Sequence, residues 1–411
     1  MPKKETLEVY AGLIAKMGIN PKKDQEVHIV CDAQIYEFAG LVVKKLYQYG
    51  AGKIRVDFSD PTIAKLQFKY QTKERLAKLT EWEILKQKEK IETLPALVYL
   101  TSESPYDLQG IDPEKMAYIT NERYPILKPI RDAIDNKYQW CIAGVPSKEW
   151  AAVVFKDDPN AYEKLWDAIL KTMYIKDGMS EEDAIKHWQD HNKRLHSLAA
   201  KLNDYKFNKL HYKNDEGTNF TVALNPQVRW ASGSEKIMDG TEFNPNMPTE
   251  EVFTTPLYSE TNGIIYATKP LNYSGNLIDE FWIEFKDGLA VNWDAKVGKE
   301  YLDLILNFDE GSKKLGEVAL VAYDTPINLM NILFYQTLYD ENASCHVALG
   351  QGFENLLEGY EQMSPEEHLK NGINESRTHV DFMIGSKSLN INGELSDGSI
   401  VPIFKDGNWC I

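Results

Sequence analysis

The stretch VHIVCDAQIYEFAGLVVKKLYQYGAGKIRVDFSD, residues 27–60, decides how the first half of the chain is built. Its ends, VHIVCDA and KIRVDFSD, are short apolar runs of strand length. Between them QIYEFAGLVVKKLYQYGAG repeats apolar residues every three or four positions and closes on glycines, the pattern of a helix with a C-terminal cap. Further along, ALVYLTSE and QWCIAGVPS are strand-like again, and AYEKLWDAILKTMYI and EEDAIKHWQDHNKRLHSLAAKLN are helical. Strands alternating with helices predict an N-terminal α/β domain with a parallel sheet covered by helices, over residues 1–205. No G-x-G-x-x-G or G-x-x-x-x-G-K-[ST] follows any of these strands, so no nucleotide site is signalled.

Near residue 205 the pattern changes. KLHYKNDEGTNFTVAL and IEFKDGLAVNW read as strand, turn, strand, with EGT and KDG as turns. Residues 206–411 are therefore expected to form a mixed α+β, largely antiparallel domain, with helices near 299–308 and 328–338. A chain of 411 residues suits this division into two domains.

Composition narrows the function. The net charge of -16 argues against a nucleic-acid backbone as ligand, because such binders concentrate Lys and Arg. The four cysteines are far apart and form no C-x-x-C pair, which suits a reducing compartment. The N-terminal segment MPKKETLEVYAGLIAKMG has helical spacing interrupted by charge, and no apolar run approaches membrane-spanning length. A cytoplasmic protein without a membrane or nucleic-acid partner is expected.

The second half carries polar residues where apolar strands do not want them. In THVDFMIGS, residues 378–386, an extended chain puts His379 and Asp381 on one face and Val380 and Phe382 on the other. The pair is either a hydrogen-bonded couple in a satisfied core or a pair of metal ligands. Glu317 is the one charge in LGEVALV, and a lone buried carboxylate needs a cation or a partner. His346 lies in the small and apolar run ENASCHVALGQG, and Glu251 opens EVFTTP just after a turn. Imidazole with carboxylate and no thiolate suits Zn, Co, Mn or Mg. By contrast, His187, His191 and His196 lie along a highly charged helix without an H-E-x-x-H motif and read as a solvated or interdomain face. His28, His211 and His368 stand alone among polar neighbours.

At these residues the sequence resembles the thermophilic aminopeptidase family, which contains aminopeptidase T, aminopeptidase S and the PepS enzymes. The resemblance rests on NPNMPTEEVFTTP, TKPLNYSG, LGEVALV, FYQTLYDENASCHVALG and THVDFMIGS in this order, and extends more faintly over nearly the whole chain. It implies two divalent metal ions held by Glu251, Glu317, His346, His379 and Asp381. It also implies removal of N-terminal residues from peptides through a two-metal-activated hydroxide, with Glu317, or alternatively Glu251, accepting and returning the proton. Broad residue specificity and a homodimer are further implications. One position departs from the family: the tyrosine expected seven residues past the histidine of ASCH is Phe353, which cannot donate to an oxyanion as a phenol can. Tyr360 is the nearby candidate to replace it. Two other readings are a bimetal phosphoesterase, disfavoured by the lack of a basic or Gly-rich phosphate cradle, and a metal-containing peptide-binding protein with weakened turnover.

Overall fold

A computed structural model describes residues 2–102, 104–107 and 109–411; Met1, Leu108 and Glu103, the last residue of ALVYLTSE, lie outside the described residues. The chain divides by contact into two compact units, residues 1–189 with 234–248, and residues 190–233 with 249–411. Each unit is therefore assembled from two pieces of chain, and the single cut at 205/206 read from the sequence falls at the end of the helix Glu181–Tyr205, within which the first exchange occurs.

The first unit realises the strand and helix alternation. Strands β1 (Glu26–Asp32), β2 (Lys53–Ser59), β3 (Ala96–Thr101) and β4 (Trp140–Gly144) lie in the order β4, β3, β1, β2, all parallel, with the two-residue strand Asn246–Met247 added beside β4. The helix after β1 starts because Asp32, still extended, accepts the Gln34 N–H and caps a short 3-10 turn that leads into Tyr36–Gln48. That helix buries Phe38, Ala39, Val42 and Leu46, a spacing of one, three and four residues on one face. Phe38 packs between the rings of Tyr10 and Trp166, at 5.2 and 5.7 Å.

The second unit is antiparallel. The expected hairpins form between Lys209–Lys213 and Asn219–Leu224 and between Asn276–Lys286 and Leu289–Val297, inside a nine-stranded sheet. A second, five-stranded sheet runs in the order His379–Met383, His346–Gly350, Leu315–Leu320, Val252–Thr254, Ala231–Ser232. Its inner face supplies Val318, Leu320, Val347, Leu349, Val380 and Phe382 to a core shared with Phe281, Phe285 and Ile265 of the larger sheet. Burying each such side chain contributes about 1.5–3 kcal/mol.

The helix expected near 299–308 is present as Lys299–Leu306, but that expected at 328–338 is not. Two short helices, Pro326–Leu329 and Thr337–Glu341, flank an irregular loop. The buried Asp340 carboxylate takes the N–H groups of Phe334 and Gln336, which a continuous helix would give to its own carbonyls. Asn331 and Tyr335 sit at φ +51° and +56°, in the left-handed region that ends a helix. Among the described residues, no helix is long and apolar enough to cross a membrane.

Candidate metal centre

The five-stranded sheet has two faces of opposite chemistry. Residues paired across antiparallel strands point to the same side, and alternate residues of one strand point to opposite sides. Ala348 is paired with Glu317 on one neighbour and with Asp381 on the other, so these three share a face. Two residues along, His346 (paired with Ala319) and His379 (paired with Gly350) lie on that same face. Phe253, paired with Ala319, joins them, and Glu251 precedes it by two residues. Acids and imidazoles thus surround two fully buried alanines, Ala319 and Ala348, whose methyl groups leave room above the sheet.

A β-bulge makes this possible for Glu317. Leu315 pairs with Leu349 and Glu317 with Ala348, so Gly316 is an extra residue on its strand. Without it Leu315 and Glu317 would share a face; with it Leu315 enters the core and Glu317 turns to the acids. Only glycine fits there, since a Cβ would lie 2.3 Å from the Gln351 carbonyl oxygen.

Two groups of three potential ligands result: Glu251, Glu317 and His346, and Glu317, His379 and Asp381, the atoms of each group lying within 4.8 Å of one another. Glu317 belongs to both. His346 Nε2 is 3.2 Å from Glu251 Oε2, while His379 Nε2 is 3.1 Å from Glu317 Oε2 and 3.2 Å from Asp381 Oδ1. In both histidines the other nitrogen is anchored to backbone. Nδ1 of His379 donates to the Gln351 carbonyl at 2.8 Å, and Nδ1 of His346 to those of Glu341 and Ser344 at 3.0 and 3.1 Å. Because a carbonyl only accepts, Nδ1 carries the hydrogen and Nε2 is presented to the cluster, as metal-ligating histidines require.

The electrostatics call for a cation. Burial pushes the Glu317 carboxyl up to about 7, the hydrogen bond from His379 opposing and the charge of Asp381 adding. Burial disfavours the His346 imidazolium, yet the hydrogen bond and charge of Glu251, with Glu317 and Asp381, raise it to about 10. His379 is likewise raised against burial by Asp381 and Glu317. Protonated imidazoles here stand where positive charge is needed. Asp381 Oδ1 is buried without a well-formed hydrogen bond, an acceptor suited to a metal ion. The donor set fits hard or borderline divalent cations.

The structure adds Glu341, which the sequence reading passed over. Burial, followed by the charges of Asp381 and Glu251, holds its carboxyl well above the ordinary glutamate value. It ends the helix Thr337–Glu341, and its own carbonyl receives His346 Nδ1. The signal available in sequence was an acid five residues before His346 in ENASCH. Asn342 ties this helix to the Glu251 segment: its Oδ1 accepts the Glu250 N–H at 2.7 Å while its Nδ2 donates to the Leu338 carbonyl at 2.8 Å.

Phe353 lies at the site, its ring 5.2 Å from that of His379 and 5.3 Å from that of Phe253. Tyr360 packs instead on the cluster around Leu356 and Leu357, and its carbonyl accepts from His368 Nε2 at 3.1 Å. On the charged helix, His191 is buried and not solvated; its Nε2 donates to the Thr249 carbonyl at 2.8 Å.

Comparison with known proteins finds relatives over nearly the whole chain. Aminopeptidase AmpS of Bacillus subtilis (strain 168) is 39% identical over 408 residues, 98% of each chain. Aminopeptidase T of Thermus aquaticus is 34% identical over 410 residues, 99% of each. The solved structure of wild-type AmpT from Thermus thermophilus superimposes with a TM-score of 0.90 at 34% identity, covering 99% of this chain and 100% of that one. The model of the thermophilic metalloprotease family M29 matches residues 3–409, and the chain belongs to that family.

Proposed function

We propose that this protein is a metal-dependent aminopeptidase with a dinuclear centre, removing N-terminal residues from peptides in the cytoplasm. The observation that carries the dinuclear reading is that Glu317 is common to two ligand triads. One ion would be held by Glu251, Glu317 and His346, and the other by Glu317, His379 and Asp381. Glu341 is a further carboxylate within electrostatic reach of Glu251, Glu317 and Asp381; counted with them, it would bring the carboxylate charge to that of two dications. The names of the relatives, aminopeptidase AmpS and aminopeptidase T, support the exopeptidase reading.

Divalent ions bound there supply Lewis acidity that polarises the scissile carbonyl and activates water. The protein's own groups do the rest. Glu317, which belongs to both triads, would take the water proton and return it to the leaving amine, with Glu251 as the alternative. A carboxylate of the cluster would receive the free α-ammonium of the peptide. The Nδ1 anchors keep both imidazoles from swinging as charge develops.

The deciding experiment supplies Zn, Co, Mn or Mg to the purified protein and offers free-amine and N-acetylated versions of one peptide. Release of the first residue from the free-amine peptide alone is expected. Cleavage of both, or of neither, sinks the exopeptidase reading.

A further inference from the structure

The second unit contains a cavity of about 930 Å³ whose lining includes none of the metal-ligand candidates. Tyr266, Phe281 and Trp282 give it apolar and aromatic walls, and Asn328 and Asn331 give it polar ones. Lys269 is the half-buried cation in its wall. An ammonium has three hydrogens to donate. Among the described residues Lys269 forms no ion pair, and its one hydrogen bond goes to Asn328 Oδ1 at 3.1 Å. The acid whose charge reaches it, Asp340, is already engaged by the N–H groups of Phe334 and Gln336. Burial lowers the ammonium from the ordinary lysine value, as expected for a cation short of a counter-charge. Of the other charged groups in the lining, Lys296 pairs with Glu280, Glu216 accepts the hydroxyls of Ser386 and Ser388, Asp294 accepts the Ala295 N–H, and Lys387 is exposed where Lys269 is half-buried.

The cavity also has a fixed relation to the metal centre. The strand His379–Met383 carries two proposed ligands, and the chain leaving it lines the cavity with Gly385 and Ser386. Thr268, next to Lys269, is bound to this segment: its N–H donates to the Met383 carbonyl at 2.8 Å and its hydroxyl to that of Gly385 at 2.9 Å. Gly385 follows Asp381 by four residues and lies at most about 14 Å from it, the chain bending where Ile384 and Gly385 both donate to the Cys345 carbonyl. A peptide of about four extended residues spans the same distance.

We propose that this cavity is a carboxylate-binding site in which Lys269 receives the C-terminal carboxylate of short peptide substrates whose N-terminus lies at the metal centre. The proposal rests on the aminopeptidase reading for the identity of the peptide. The polar and aromatic walls accept varied side chains, so the site selects length and a free C-terminus in preference to sequence.

The test compares KM for di-, tetra- and hexapeptides, each as the free acid and the C-terminal amide, on the metal-loaded protein and its K269Q and K269R variants. For the tetrapeptide the acid should have a KM about tenfold below that of the amide, the size of one charge-assisted hydrogen bond. K269Q should abolish the ratio and K269R restore most of it, while the dipeptide should show no ratio that depends on Lys269. Equal KM for tetrapeptide acid and amide, or a ratio that survives in K269Q, overturns the proposal. Calorimetric titration with the N-acetylated tetrapeptide acid and amide reads the cavity without cleavage. A preference for the acid that depends on Lys269 supports the site even if no residue is ever released, and its absence overturns it. Acetate competing as well as the peptide acid would assign the cavity to small carboxylates and remove the peptide from the proposal.

Discussion

The two faces of the five-stranded sheet come from the same strands and do opposite things. One face, Val318, Leu320, Val347, Leu349, Val380 and Phe382, is continuous core. The other holds Glu317, His346, His379 and Asp381 around Ala319 and Ala348. Because the side-chain period is two, a one-residue slip of register would put the acids into the core and the apolar residues at the site. The apolar face therefore fixes where the ligands point, and the site face contributes chemistry at the expense of stability, as crowded carboxylates must.

The comparison breaks most severely at the small residue between the ligands. Ala348→Leu fills the space above the sheet without replacing any proposed ligand, and should lower bound metal to well under one equivalent and activity by about 10³-fold. Metal analysis of the folded variant checks this, and full metal content would show that the ions lie elsewhere. On the opposite face, Phe382→Ala should cost about 3–5 kcal/mol in denaturant unfolding. Metal stoichiometry in native buffer should be retained, so the two faces fail differently.

Phe353→Tyr sharpens the comparison from the gain side. A phenol placed beside His379 can donate to a developing oxyanion, and kcat should rise at least about tenfold with metal content unchanged. An unaltered kcat would mean that the phenyl ring's neighbourhood already supplies that donor.

The smallest effect concerns protons on the metal-stripped protein. Glu317 and His346 are both raised in the folded state, from 4.5 to about 7 and from 6.5 to about 10. A raised group contributes stability below its unfolded pKa and loses it as pH climbs through the folded one. Melting temperature should therefore fall in two overlapping stages between pH 4.5 and about 10, while metal affinity rises over the same range because the ions displace those protons. A melting temperature that rises with pH across this window would refute the assignment.

Much of this was legible in the residues themselves. Period-two alternation placed His379 and Asp381 on one face, and the β1-to-β2 stretch announced a parallel sheet, because both signals are local. Glu341 escaped because it sits at the end of a five-residue helix in a polar run, where an acid draws no notice. The missing helix at 328–338 escaped for a related reason. Its apolar spacing was adequate, and a single buried carboxylate, Asp340, captured the N–H groups that the helix needed. The return of residues 234–248 to the first unit depends on contacts far apart in sequence, such as Ile142 N–H to the Pro245 carbonyl, which no window of sequence displays.

The order of strands carries a further consequence. His379 and Asp381 stand on the outermost strand of their sheet, whereas Glu317 and His346 stand on inner ones. Outer strands open and re-close more often than inner ones. An ion held by His379 and Asp381 would therefore exchange with solvent faster than its neighbour, so that a chelator empties the centre in two kinetic phases, the position on the outer strand first.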